Sequence, residues 1–177
     1  MLSKIEEFSL IAKCVATDDR NAFGRLVEEY QHDLRRFLFN LTLGDTALTD
    51  DLAQDTFLKA YLSIRQFKCL ARFKTWLYRI AYNEFYSYMR KRQEAHDEEV
   101  LNAHEEAIYS HNKTDAQIDV DTCLKVLNEN ERTVVLLFYL EDQPIKKISE
   151  ITSLSEGTIK SSLSRARIKM AKLFNNN

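Results

Sequence analysis

The sequence predicts an all-α protein made of two small helical domains joined by an acidic linker, and three observations predict it. Glycine and proline are scarce, three and one in 177 residues, while charged residues make up 29%, a composition suited to helices. Apolar residues recur at spacings of three and four in separate blocks. Between residues 93 and 121 the chain changes character, with nine acids against one base, Lys113, and few large apolar side chains.

The same composition bounds the function. A chain of 177 residues suffices for one ordinary domain or two small ones. The net charge of −2 hides strong local contrasts. Cys14, Cys69 and Cys123 are odd in number, far apart and without CxxC spacing, which predicts a reduced cytosolic protein. The opening MLSKIEEFSLIAKC lacks the apolar core of a signal peptide. The longest apolar run, Val134 to Leu140, is too short to span a bilayer. A cytoplasmic location without membrane insertion is expected.

Taken in order, residues 2–17 predict an amphipathic helix that buries Ile5, Phe8, Ile11 and Ala12. Thr17-Asp18-Asp19 breaks it and offers a cap for the next helix, which carries Phe23, Leu26, Val27, Tyr30, Leu34, Phe37, Leu38 and Leu41 and ends at Gly44 and Asp45. The helix from Thr49 to Tyr61 opens with acids that suit its dipole. Asp51, Gln54, Asp55 and Leu58 share one face of it. That face fits a partner-docking surface, or a solvated surface, which is the commoner use of such charges. After a short helix or turn at Ile64–Phe73, a long helix is predicted from about Arg72 to Arg92. Its apolar face holds Phe73, Trp76, Leu77, Ile80, Ala81, Phe85 and Tyr88. Another face aligns Arg72, Thr75, Arg79, Asn83, Tyr86 and Arg90, with Trp76 at the border. Six bases stand against one acid, Glu84, on this helix. Arginine for phosphate, asparagine for a base edge and aromatics for stacking are the means of holding a single strand. A core helix with a decorated outer surface has the same residues.

The linker, 94–119, contains His96, His104 and His111, whose spacings match no compact metal motif. No metal or cofactor is expected. Beyond it, Val120, Leu124 and Leu127 begin a helix that breaks at Asn128-Glu129-Asn130, and Glu131–Leu140 forms an apolar core helix. Pro144, Ile145, Ile148 and Ile151 then predict a short helix. Ser153-Leu154-Ser155 forms a turn, and Ser155 caps a longer helix through Phe174. On that helix Ile159, Leu163, Ala166, Met170 and Leu173 face inward, while Lys160, Ser161, Ser164 and Arg165 face outward. From Ile145 to Phe174 seven bases oppose two acids. Two helices at a tight turn, the second offering bases and hydroxyls, fit a helix-turn-helix in a major groove.

Two blocks together, DDLAQDTFLKAYLSIRQF with FKTWLYRIAYNEFYSYMRKR, and LNENERTVVLLFYLEDQPIKKISEITSLSEGTIKSSLSRARIKM, resemble conserved regions 2 and 4 of the extracytoplasmic-function (ECF) group of RNA polymerase sigma factors. The resemblance implies a region 2 domain at 1–93, the acidic linker at 94–119 and a region 4 domain at 120–177. It implies a non-enzymatic protein that binds core RNA polymerase through the β′ clamp helices and β flap, and promoter DNA, and that is held by an anti-sigma factor. Asp51, Gln54, Asp55 and Phe57 fall in the polymerase-binding segment. Arg72, Trp76, Arg79 and Asn83 match the helix that melts and reads the −10 element, and the loop Phe67–Arg72 holds a flipped base. Lys160, Ser161, Ser164 and Arg165 match the −35 reader, with Arg167 on phosphate. The chain departs from the family at Ser149, where a small Ala is usual, and at Ser153, where a turn Gly is. It departs again at Ser162, which costs one −35 contact where an Arg is usual, and in the loop Lys68–Ala71. Two other function classes compete. A free-standing dimeric helix-turn-helix regulator leaves the Asp50–Arg92 block unused, and a metal hydrolase would have to be built on the linker histidines.

Overall fold

The computed structural model describes residues 2–69, 71–99 and 115–175, and every regular element among them is helical. Helices α1 (Lys4–Thr17), α2 (Arg20–Leu41), α3 (Thr46–Ser63) and α4 (Phe73–Glu99) are followed by α5 (Asp115–Lys125), α6 (Glu129–Val135), α7 (Ile145–Thr152) and α8 (Glu156–Asn175). A 3-10 turn, Ile64–Gln66, follows α3, and α6 runs on as a π-helical turn, Leu136–Leu140. The stretch 100–114, with His104 and His111, lies outside the described residues.

Side-chain caps start the helices where the sequence offers them. Ser3 and Glu6 form a capping box on α1, and Asn128 and Glu131 form another on α6. Asp19 accepts from the N–H groups of Asn21 and Ala22. Asp45 accepts from Leu48 N–H, so α3 begins one turn before the predicted Thr49. Between α2 and α3, Leu43 and Gly44 both take positive φ, 58° and 89°, and reverse the chain. The Ser155 hydroxyl accepts from Thr158 N–H at 3.1 Å, as expected of the α8 cap.

The predicted faces of α2 and α8 are buried. Leu26, Leu34, Phe37, Leu38 and Leu41 are inaccessible on α2, and so are Ile159 and Ala166 on α8. Each such aliphatic or aromatic side chain contributes about 1.5–3 kcal/mol, against about 0–1 kcal/mol for an exposed ion pair. The apolar seams therefore set the packing.

Helix α1 corrects the expectation. Ile5 and Phe8 are 82% and 60% exposed and Ala12 is exposed too; Ile11 is buried as expected, with Leu10 and Cys14 beside it. Both registers have helical periodicity, and polar groups decide between them. Glu7 accepts a hydrogen bond from the Tyr30 hydroxyl and one from Phe73 N–H, at the start of α4. A carboxylate at that helix N-terminus turns the Glu7–Ile11–Cys14 face inward.

The last four helices pack on the first four. Arg132 is buried and gives its guanidinium to three backbone carbonyls: Leu124 and Leu127 near the end of α5, and Leu41 at the end of α2, the last at 3.0 Å. Helix α7 lies along α4. Tyr78, which the sequence put on no buried face, is almost inaccessible there. It stacks on Phe37 with centroids 5.0 Å apart and donates its hydroxyl to Glu141 at 2.8 Å.

Ser153 closes α7 with φ 61°, a left-handed conformation in a residue that carries a Cβ. Ser149 reaches across the same turn to the Leu154 carbonyl at 2.6 Å, so its hydroxyl is satisfied. Ser153→Gly is expected to stabilise the protein by about 0.5–1 kcal/mol and raise the thermal midpoint by about 2–4 °C. Thermal unfolding followed by circular dichroism measures this; an unchanged or lower midpoint contradicts it.

Candidate nucleic-acid interface

Around the start of α4 the aromatic rings form a nest. Phe67 lies tilted against Trp76 at 5.0 Å and meets Phe73 edge to face at 5.9 Å, and Phe73 meets Trp76 at 5.6 Å. A cleft of about 330 Å³ opens beside them, lined by Gln66, Phe67, Lys68, Trp76, Arg79 and, from α7, Glu150. Lys68 and Ala71 border it, and Cys69 has φ 55°. Arg72, Arg79 and Asn83 are exposed and Trp76 is half-buried. Asn83 lines a neighbouring cleft with Lys59 and Glu84, which are ion-paired. The predicted polar face of α4 is thus exposed at Arg72, Arg79, Asn83 and Arg90, with two departures. Thr75, placed on it by periodicity, is only 7% exposed. Tyr86 is half-buried, its hydroxyl donating to Asn130 at 2.9 Å. Both residues are covered by the C-terminal helices.

On α8, Lys160, Ser161, Ser164, Arg165 and Arg167 are all exposed. Ser161 donates to the Thr158 carbonyl, and Lys160 lies 4.0 Å from Glu156. Arg165 reaches Ser162 Oγ at 3.2 Å and Glu131 at 3.5 Å. Ser162 is buried, so it faces the helix packing and braces Arg165 rather than leaving a gap at the outer face. Arg167 stands apart from the others. It borders an apolar groove with Cys123, Leu136, Tyr139 and Met170.

Glu131 is the residue that sequence reasoning missed here. Its buried carboxylate closes the α6 capping box and pairs with both Arg165 and Lys169, the latter at 2.7 Å. Burial opposes its charged form. The Lys169 hydrogen bond, the Asn128 N–H and the charges of Lys169 and Arg165 outweigh that and hold the carboxyl below the ordinary range. An acid inside an apolar helix was the available signal.

On α3, Asp51, Gln54 and Asp55 are exposed, and Leu52 and Thr56 are buried behind them. Phe57 is half-buried against the core. Leu58 and Leu62 extend the exposed face, at 52% and 71%. Their four- and seven-residue offsets from Asp51, Asp55 and Leu58 make both legible. Among the described residues no group of His, Cys, Asp and Glu could hold a metal ion.

Known proteins match this arrangement. Residues 26–95 match the family model of Sigma-70 region 2, and residues 117–170 that of Sigma-70, region 4. The chain is 29% identical to the ECF RNA polymerase sigma factor SigW of Bacillus subtilis, over 90% of this chain and 92% of that protein. It is 31% identical to SigM of the same organism, over 85% and 93%. Among solved structures, the sigma factor RpoE of Bartonella quintana, in complex with the anti-sigma factor NepR, superposes with a TM-score of 0.72. The identity is 31%, covering 86% of this chain and 96% of that one.

A carboxyl depressed on folding contributes stability above its unfolded pKa, near 4.5 for Glu131, and that contribution is lost as pH falls through the lower folded value. Glu131→Gln is therefore expected to cost about 1–3 kcal/mol at about pH 7. The cost should shrink on acidification below about pH 4. Urea unfolding of both proteins across this range measures the difference; equal stability at neutral pH refutes it.

Proposed function

Because the chain belongs to the ECF sigma factors of RNA polymerase, we propose that its three exposed polar faces divide the work of promoter recognition among them. The protein directs promoter-specific transcription initiation. Asp51, Gln54 and Asp55, with Leu58 and Leu62 beside them and Phe57 bracing the helix from within, dock on the polymerase β′ clamp helices. Arg72, Trp76, Arg79 and Asn83 take the −10 element. Lys160, Ser161, Ser164 and Arg165 enter the major groove at the −35 element, and Arg167 meets phosphate. Residues 1–93 form the first domain, 94–119 the linker and 120–177 the second.

The observation that carries this reading is the Phe67–Phe73–Trp76 nest beside an open cleft lined by Arg79, with Asn83 exposed in the neighbouring cleft. Extruding a base costs a few kcal/mol of stacking. A pocket of aromatic rings with an arginine for the phosphate offsets that cost. No reaction is assigned to the chain, since unstacking and holding a strand require binding alone. The linker is long enough for both domains to act together. Residues 94–99 belong to α4 and 115–119 to α5. At about 1.5 Å per helical residue and about 3.5 Å per extended residue for the rest, the linker spans roughly 65–70 Å, against about 58 Å for a ~17-base-pair spacer.

The partners are core polymerase, promoter DNA and an anti-sigma factor, the last supported by the anti-sigma factor NepR bound to RpoE. The site of action is the cytoplasm; among the described residues no helix is long and apolar enough to cross a membrane.

Reconstituted core polymerase is expected to initiate at defined promoters only when this chain is added; unselective initiation with and without it refutes the assignment. Asn83→Ala should reduce open-complex formation about tenfold or more and leave polymerase binding intact. Permanganate footprinting reads this, and normal melting removes Asn83 from the role. Asp55→Arg should weaken binding to core polymerase about tenfold, measured by fluorescence anisotropy; an unchanged affinity excludes that face.

A further inference from the structure

Helix α1 packs on α2 and on the 3-10 turn with Leu10, Ile11 and Cys14 buried, and its other side carries a second apolar row. Ile5, Phe8 and Val15 are 82%, 60% and 37% exposed, and Ala12 between them is exposed as well. Single apolar side chains are ordinary on a protein surface, whereas a contiguous row of them marks a contact. The spacing here is three, four and three, that of the a and d positions of two heptads, so all four residues project from one side of the helix. Ser9 and Ala16, exposed beside them, keep the border of the row small. The hydrogen bonds of Glu7 to Tyr30 and to Phe73 N–H hold the opposite side of α1 inward, so the row stays turned out.

The row is complementary to itself. Leu10 lies midway between Ile5 and Val15 and also midway between Phe8 and Ala12. Two copies of α1 laid antiparallel about a two-fold axis at that level set Ile5 of one against Val15 of the other. They also set Phe8 against Ala12, so a large side chain fills the space left by a small one. Glu6 and Lys13, both exposed, stand on one flank of the row. The same two-fold brings Glu6 of each copy level with Lys13 of the other, within reach of the two side chains. A parallel pair would instead oppose Glu6 to Glu6, Lys13 to Lys13 and Phe8 to Phe8. A face that serves both copies alike closes as a dimer and does not propagate. A lipid surface fits less well, because it calls for a belt of bases around the apolar row. Helix α1 has two acids, Glu6 and Glu7, against two bases, Lys4 and Lys13.

We propose that the outer face of α1, built on Ile5, Phe8, Ala12 and Val15, is the interface of a homodimer in which two copies of this helix pair antiparallel. The interface is independent of the promoter-binding reading and adds an assembly to it. A helix of 14 residues is about 21 Å long and about 10 Å across. The pair therefore buries roughly a few hundred Å² on each copy, less than the about 800 Å² per partner of a standard interface. Such a dimer is weak and depends on concentration, with a Kd on the order of 10–100 μM. Phe8, aromatic and near the centre, carries the largest share of the affinity. The Glu6 and Lys13 flank contributes less and sets the direction of pairing.

Sedimentation equilibrium of the full-length protein from about 5 to about 300 μM brackets that Kd. The wild type should pass from monomer to dimer across this range and assemble no further. Phe8→Ala and Ala12→Arg should each weaken association about tenfold or more. Both positions are exposed, so the helical circular dichroism of the variants should match that of the wild type. Ala12→Arg places a charge in the middle of the row without removing a large side chain, and it decides the matter should Phe8→Ala fail to fold. Lys13→Glu should weaken the dimer about threefold, because it sets acid against acid at both ends of the flank. A wild type still monomeric at the highest concentration overturns the proposal. So does assembly beyond a dimer, or dimerisation of Phe8→Ala and Ala12→Arg that equals the wild type. An unchanged Kd in Lys13→Glu overturns the antiparallel register. Promoter-selective transcription by the reconstituted holoenzyme is read separately, so the loss of either assignment leaves the other standing.

Discussion

A carboxylate with no contact to water must be answered inside the protein, and at Glu141 that requirement sets how the helices are arranged. Moving such an ion out of water costs several kcal/mol, which is recovered only with well-placed partners. Arg36, Lys74 and Tyr78 supply them. Tyr78 in turn stacks on Phe37, and Lys74 lies over the Tyr78 ring at 5.4 Å from its centroid. One polar cluster thus fixes the register of α2 against α4 and of both against α6 and α7. Arg132, spread over the carbonyls of Leu41, Leu124 and Leu127, pins the same seam from the other side. Apolar burial supplies most of the stabilisation, but it is tolerant of sliding. Directional hydrogen bonds to buried charges choose one arrangement among those the apolar faces permit.

Charge is used in the same way at the DNA-facing helix. Arg165 and Lys169 sit on a helix rich in bases, and Glu131 beneath them offsets part of the repulsion while aiming Arg165. Ser162, turned inward, gives Arg165 a second fixed partner. A long cationic side chain held at two points loses less freedom when it meets a phosphate or a base than one that is loose. Glu131 therefore orders the bases of the outer face of α8 from beneath.

Much of the fold could be read in the sequence because it rests on local rules. Caps at Asp19 and Ser155 and the apolar stripes of α2 and α8 need only nearest neighbours along the chain. The exposed Arg72, Arg79 and Asn83, and the outer face of α8, follow from the same periodicity. The failures share one cause. Ile5 and Phe8 were expected inside, yet α1 is turned by Glu7, whose partners Tyr30 and Phe73 are 23 and 66 positions away. Thr75 and Tyr78 are buried because α7 and Glu141 lie on them, and Glu141 is 63 residues from Tyr78. Periodicity says that a helix has an inner face; which groups choose that face is settled by distant residues that leave no mark in the local pattern.

The π turn at Leu136–Leu140 has a consequence for how such a chain changes over generations. The Glu141 amide bonds back five residues to Leu136, one more than in an α-helix, so the turn carries a surplus residue. Loss of a single codon there would restore ordinary helix and rotate everything downstream by about 100° relative to α6. The acid would then point away from its cradle while every helix kept its sequence and its caps. A tight clasp between the two halves is therefore one small deletion away from a loose one, and lineages could shift that balance without altering a residue that touches DNA.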